Sequence, residues 1–262
     1  MAQSELAELV ELSLTLGLPQ HDLVILAEGN TSTVTKPGRF AVKASGAQMS
    51  LATAADFVEL EWDPLVAALR DERTGPADVK QLFRDASRGD GPARAPSTET
   101  FIHAVGYALC GAQYVAHTHP TAITALLSST IEDEALKQVL FPDEAVVGGI
   151  EPAIVGYGDP GLELGRMLLH EVDRYQQRHG RSPRVVLLKN HGVVTFGRSS
   201  AEVLAATLMA TKAARVRLAA LAAGGLSPLP PGAAEHLSAR TDEQARLTNL
   251  FGSERAAGDV QR

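Results

Sequence analysis

Two histidines one residue apart in an apolar run, Val115-Ala116-His117-Thr118-His119, constrain this chain more than any other feature. Alternate residues of a strand point to one face, so the two imidazoles stand side by side about 7 Å apart along the backbone. Such a pair is either a satisfied core pair or a chelate for one metal ion. Tyr114 to His119 reads as the strand, and Pro120 ends it and opens a helix running through Ala125 to Leu127. A third imidazole, His191, stands between Asn190 and Gly192 after the apolar run Val185 to Lys189. Three histidines on one divalent cation leave coordination positions open, as a catalytic site requires. Zinc is the leading ion, with manganese, cobalt and iron as alternatives, at one divalent metal per chain.

The remaining segments alternate between strand and helix patterns. Ser4 to Leu16 spaces Leu6, Leu9, Val10 and Leu14 at helical intervals. Asn30 to Thr35 and Phe40 to Lys43 flank a Lys36-Pro37-Gly38-Arg39 turn and predict a hairpin. Leu65 to Leu69 predicts a short helix, and the Gly-, Pro-, Arg- and Asp-rich stretch from Asp71 to Pro96 predicts exposed loop with one helical turn. Pro96-Ser97-Thr98 opens a helix with Phe101, Ala104, Val105, Ala108 and Leu109 on one face, which places Glu99 in the first turn. Val146 to Ile154, Val185 to Lys189 and Val193 to Phe196 predict strands, and Ser199 or Ser200 caps a long helix reaching Ala222. The expected fold is therefore an α/β layered domain around a mostly antiparallel or mixed sheet. Residues 1–224 form the expected catalytic domain. Residues 225–262 supply a linker at Gly224 to Pro231, one helix from Ala233 to Phe251 and a polar, mobile tail.

A formal net charge of −7 with interspersed signs gives no footprint for nucleic acid or an anionic membrane. No apolar run reaches the roughly 18 residues needed to cross a bilayer, and the first residues lack a basic start and a small-residue cleavage site. Cys110, the single cysteine, lies in an apolar helical stretch and reads as an inert thiol, with no internal disulfide and no cysteine metal ligand. A cytoplasmic setting is expected. The Gly-x-Ser-x-Gly elbow of hydrolases does not occur.

Glu99 has two readings. Acidic residues favour helix N-termini for dipole reasons alone. Beside Ser97, Thr98 and the first free amides of that helix, however, a carboxylate forms an anion pocket with a general base at its edge. Gly29-Asn30-Thr31-Ser32 and Ala44-Ser45-Gly46 read singly as turns, and together they supply amides and hydroxyls suited to phosphate oxygens.

Taken in order, Gly29-Asn30-Thr31-Ser32, Ala44-Ser45-Gly46, Pro96-Ser97-Thr98-Glu99, His117-Thr118-His119-Pro120 and Asn190-His191-Gly192 resemble the class II aldolase/adducin family, from Leu6 to Ala222. The resemblance implies an α/β/α sandwich, a cyclic homotetramer with sites at subunit boundaries, and a sugar-phosphate or hydroxy-acid substrate. It implies His117, His119 and His191 as metal ligands and Glu99 as the acid/base. Asn30, Ser45, Gly46, Ser97 and Thr98 match positions that hold the substrate phosphate. His103 matches a frequent family histidine and is expected to support the site or pack.

Glutamate at position 99 favours lyase chemistry over epimerisation within the family. The implied reaction is aldol cleavage through a metal-stabilised enediolate; decarboxylation or dehydration on the same scaffold, or a non-enzymatic adducin-like interaction role, are the alternatives. Two departures bear on substrate. Leu140-Phe141-Pro142-Asp143-Glu144 stands where the fuculose-phosphate enzyme is expected to supply a tyrosine, with Asp143 or Glu144 as a substitute acid or a solvated loop carboxylate. Lys43-Ala44-Ser45-Gly46 replaces a Thr-Pro-Thr-Gly pattern, and Lys43 either meets a substrate anion or lies on the outer sheet face.

Overall fold

The computed structural model describes residues 2–87 and 94–251. Its strands are β1 (Asn30–Lys36), β2 (Arg39–Lys43), β3 (Phe57–Glu61), β4 (Tyr114–Thr118), β5 (Ala153–Val155), β6 (Val185–Leu188) and β7 (Gly192–Gly197). They form one sheet in the order β3-β2-β1-β4-β7-β6-β5, antiparallel throughout except for the β5–β6 pair. The helices are α1 (Ala2–Leu16), α2 (Trp62–Arg70), α3 (Val79–Ser87), α4 (Thr100–Cys110), α5 (Thr121–Leu127), α6 (Asp133–Lys137), α7 (Leu162–His179), α8 (Ser200–Ala222), α9 (Ala233–Ala239) and α10 (Thr241–Phe251).

Strand alternation sends successive residues to opposite faces, and both faces are covered. Phe40, Val42, Val115 and Val194 pack with Leu69 of α2, Phe101 and Val105 of α4, and Leu168 and Val172 of α7. On the other face, Tyr114 and Ala116 pack with Leu12 and Leu16 of α1 and Val203 of α8. Beside them, α5 buries Ile123, Leu126 and Leu127 against Val185, Val193 and Ala214. Burying each such large apolar side chain contributes about 1.5–3 kcal/mol. The expected α/β/α sandwich around a mixed sheet is therefore the observed fold. No helix among the described residues is long and apolar enough to cross a membrane.

Several local expectations change. The buried stripe of α1 is Leu9, Leu12 and Leu16, while Leu14 is exposed. The segment read as loop from Asp71 to Pro96 contains α3, whose Val79, Leu82, Phe83 and Ala86 join the main core. The strand expected from Val146 to Ile154 shrinks to β5, because residues Glu144–Gly148 wind into a π-helical turn and Gly149 takes φ 104°. A single helix from Ala233 to Phe251 becomes α9 and α10, broken at Arg240 in extended backbone. The tail beyond Phe251, expected to be mobile, lies outside the described residues.

Candidate metal centre

One end of the central strands carries the chemistry. His117 is the penultimate residue of β4, opposite Asn30 on β1 and Val194 on β7. His119 lies just past the strand, where its amide donates to the Leu23 carbonyl at 2.8 Å. The β6–β7 turn delivers His191: Asn190 adopts a left-handed φ of 55°, and the His191 amide donates to the Leu188 carbonyl at 3.1 Å. Asparagine tolerates that conformation better than most residues. Glu99 occupies the N-cap position of α4, one residue before the expected first turn, with φ −91° and ψ 15°.

These four residues converge, with one ligand-capable atom of each lying within 4.8 Å of the others. His191 Nε2 stands 2.9 Å from Glu99 Oε1, His117 Nε2 3.2 Å from Glu99 Oε2, and the Nε2 atoms of His117 and His119 are 2.9 Å apart. The outward nitrogens face protein groups. His117 Nδ1 donates to the Val193 carbonyl at 3.0 Å, and His119 Nδ1 lies 3.8 Å from Glu28 Oε1. A neutral His117 with its proton on Nδ1 turns the Nε2 lone pair inward, the state a metal ligand requires.

The electrostatics call for positive charge at the centre. Burial opposes a charge on His117, but the facing Glu99 carboxylate outweighs it and raises the His117 pKa. Burial likewise disfavours the Glu99 carboxylate, and His117 and His191 overcome it, holding that group far below the usual range. His119 is pushed down to about 3 by burial and by the other two histidines. Inward lone pairs of nitrogen and a carboxylate, with no cysteine and no lysine among them, form a donor set that fits one divalent ion.

The residues expected to hold phosphate fall into two groups. A bridge between Ala44 and Pro96, with Ser45 N donating to Ala95 O at 2.9 Å and Ser97 N donating to Lys43 O at 3.2 Å, brings the two loops side by side. Ser45, Gly46 and Thr98 are exposed there, and Gly46 takes φ 77°. Ser97 is buried; its oxygen accepts from Glu99 N at 3.3 Å and Asn30 Nδ2 at 3.1 Å. Asn30 turns inward, donating to Glu99 Oε2 at 2.9 Å and pairing with His103 through Oδ1. Gly29 precedes it at φ 66°, where a Cβ would meet the His117 carbonyl at 2.7 Å. An open cleft of about 560 Å³, lined by Glu28, His119, Thr121, Thr124 and His191, leads to the histidines.

Other expected candidates are engaged elsewhere. Lys43 is not on the outer face: it is 2% exposed, and its ammonium donates to the carbonyls of Ala47 at 2.5 Å and Ala27 at 3.3 Å. Burial lowers its pKa to about 8. Asp143 pairs with Arg246 at 2.9 Å, and Glu144 accepts from Leu140 N at 2.8 Å and pairs with Arg217 at 3.4 Å. The half-buried Cys110 thiol is pushed up to about 12 by burial, in keeping with an inert side chain. Tyr107, which the sequence does not single out, joins Ser32 of the Gly29-Asn30-Thr31-Ser32 motif in the buried network around His103.

Comparisons with known proteins agree with this architecture. A probable bifunctional methylthioribose-1-phosphate isomerase/methylthioribulose-1-phosphate dehydratase of Nocardia farcinica (strain IFM 10152) is 26% identical over 125 residues. That match takes in 46% of this chain and 23% of the relative, so the chain corresponds to less than a quarter of that longer protein. Among solved structures, the N-terminal class II aldolase domain of a conserved Thermoplasma acidophilum protein superposes with a TM-score of 0.63 at 21% identity, over 80% of this chain and 92% of that one. The L-fuculose-1-phosphate aldolase of Thermus thermophilus gives 0.60 at 19% identity, over 87% and 100%. At these identities the structural likeness is one of fold. Residues 7–218 match the Class II Aldolase and Adducin N-terminal domain, and with four fifths of its length inside that match the chain belongs to this family.

Proposed function

We propose that this protein is a divalent-metal-dependent lyase that cleaves a carbon–carbon bond in a small hydroxycarbonyl compound bearing an anionic group such as phosphate. The observation that carries the reading is the convergence of three histidine nitrogens and the Glu99 carboxylate within 4.8 Å, reached from an open cleft. His117, His119 and His191 would hold the ion, with zinc as the proposed occupant. When bound, such an ion supplies a fixed positive charge that polarises a carbonyl and acidifies its neighbouring groups.

The chain's own groups do the rest. Glu99, only 8% exposed and held by Asn30, accepts the proton of a substrate hydroxyl. Loss of that proton breaks the adjacent carbon–carbon bond, the hydroxyl carbon leaves as an aldehyde, and the electron pair remains on the carbon next to the carbonyl. Glu99 then returns the proton to that carbon. Ser45, Gly46, Ser97 and Thr98, on neighbouring loops, are the proposed cradle for the anionic group; the Ser97 hydroxyl already accepts twice and keeps its hydrogen to donate. A homotetramer and a cytoplasmic setting belong to the same proposal.

The name of the Nocardia relative favours a second reading on the same residues, elimination of water. There Glu99 takes the proton from the carbon next to the carbonyl, the freed electron pair forms the new double bond, and the hydroxyl on the following carbon departs with its bonding pair and takes up that proton to leave as water. Incubating zinc-loaded protein with a panel of ketose 1-phosphates and following products by NMR separates the two. Aldehyde release supports cleavage, and a dehydrated product of unchanged carbon count supports elimination. No turnover of any member at full metal occupancy overturns the substrate reading.

A further inference from the structure

We propose that Tyr107, Ser32, His103 and Asn30 form a one-way chain of hydrogen bonds ending on Glu99, which makes Asn30 and His103 positioning residues for the acid/base. The role rests on Glu99 as the proton-handling group proposed above; the direction of the chain rests on the placement of the Asn30 amide, its nitrogen toward Glu99 and Ser97 and its oxygen toward His103.

The direction follows link by link. The Asn30 amide nitrogen lies 2.9 Å from Glu99 Oε2 and donates to it. Its second hydrogen goes to Ser97 Oγ at 3.1 Å, so both amide hydrogens are spent. Asn30 Oδ1 then faces His103 Nε2, which must carry the ring proton. His103 is fully buried and its pKa is pushed down to about 3 by burial, so the ring is neutral and Nδ1 bears a lone pair. That lone pair accepts from Ser32 Oγ at 2.6 Å, and Ser32, its hydrogen used, accepts from the Tyr107 hydroxyl.

Asn30, Ser32, His103 and Tyr107 are each at most 6% exposed, so water does not compete for any link. The consequence for function is specific. Asn30 has no amide hydrogen left for a substrate phosphate, although its place beside Gly29 in the motif suggests that role. Its side chain instead fixes which Glu99 oxygen faces the protein and which faces His191.

Two readouts on zinc-loaded, nitrogen-15-labelled protein test this. Long-range proton–nitrogen correlation of the imidazoles, with His103→Gln identifying the His103 signals, is expected to show one neutral tautomer protonated at Nε2. An Nδ1-protonated ring, a tautomer mixture or an imidazolium would overturn the chain. The second readout is solvent deuterium exchange into dihydroxyacetone phosphate as probe. Asn30→Ser, at unchanged zinc content, is expected to lower kcat for exchange about 10–100-fold with KM nearly unchanged. A raised KM at wild-type kcat would return Asn30 to the anion site and overturn its positioning role. Should wild-type protein at full zinc occupancy exchange no deuterium, the proton-handling reading and the positioning role fall together, while the tautomer result decides the direction of the chain by itself.

Discussion

The α-carbon of Gly192 lies so close to Thr118 that a Cβ on it would come within 2.4 Å of the Thr118 carbonyl oxygen and 2.8 Å of the His119 ring. This contact joins the two strands that carry the histidines, since Thr118 pairs with Val193 where β4 meets β7. Gly192→Ala must therefore push β7 away from β4 or displace His119. The expected cost is about 1–3 kcal/mol. Thermal unfolding should show a midpoint lower by roughly 2–4 °C per kcal/mol, and zinc affinity should fall with it. An unchanged midpoint and affinity would mean that the contact does not set the position of the histidines.

Glu99 and His117 should separate metal binding from proton transfer. His117→Ala removes a ligand from the convergent set and is expected to lose metal and activity together. Glu99→Gln keeps the three histidines and should retain the ion while losing about 10²–10⁴-fold in proton exchange. Elemental analysis of both variants beside a kinetic assay checks the pair; a fully active Glu99→Gln enzyme would remove the proposed role.

Metal removal should destabilise the protein, because three histidines and a carboxylate are left facing one another without their cation. At metal concentrations 100-fold above its dissociation constant, binding adds about 2.7 kcal/mol. A chelator should accordingly lower the unfolding midpoint by roughly 5–10 °C, reversed on adding zinc. Protons compete for the same nitrogens, so this increment should be present at neutral pH and vanish as pH falls through the histidine range. Because Glu99 raises the His117 pKa, the competition there begins above the ordinary histidine value.

The neighbouring carboxylates Asp143 and Glu144 should behave in opposite ways. Arg217 is 4% exposed and pairs with Glu144 under the π-helical turn, so Arg217→Met leaves a partly buried carboxylate held only by backbone amides and is expected to cost about 3 kcal/mol. Asp143→Asn breaks a half-exposed pair with Arg246 and should change stability by less than about 1 kcal/mol. Urea denaturation of both variants measures the contrast, and equal effects would contradict this account of the turn.

The layered fold is legible because residue types declare its elements, as in the short apolar run Tyr114 to Thr118 and the long Gly- and Pro-free stretch Ser200 to Ala222. Where that signal is masked, the reading fails. Val79, Leu82, Phe83 and Ala86 have the spacing of a helix, yet they sit in a stretch whose Gly, Pro and Arg content reads as loop. Phe57–Glu61 alternates buried Val58 and Leu60 with more exposed neighbours, a short period-two signal that is easily passed over between a loop and a helix. Gly148, Gly149 and Pro152 interrupt the apolar run that reads as one long strand before β5.

At the site, the three histidines and Glu99 announce themselves by residue type. Asn30 and Ser32 stand out as part of a motif, but their contacts do not, since Asn30 meets His117 only through the β1–β4 register, and Ser32 meets Tyr107 only when α4 packs on β1. Lys43 looks free to reach solvent because strand alternation alone does not show that the loops carrying Ala27 and Ala47 close over its ammonium.

The most direct test of the central claim is the metal content of freshly purified protein, measured by elemental analysis beside His119→Ala. The account predicts about one zinc or similar divalent ion per chain, lost in the variant. Protein without metal that also fails to take up zinc on addition would contradict it and point to a non-enzymatic interaction role for this domain.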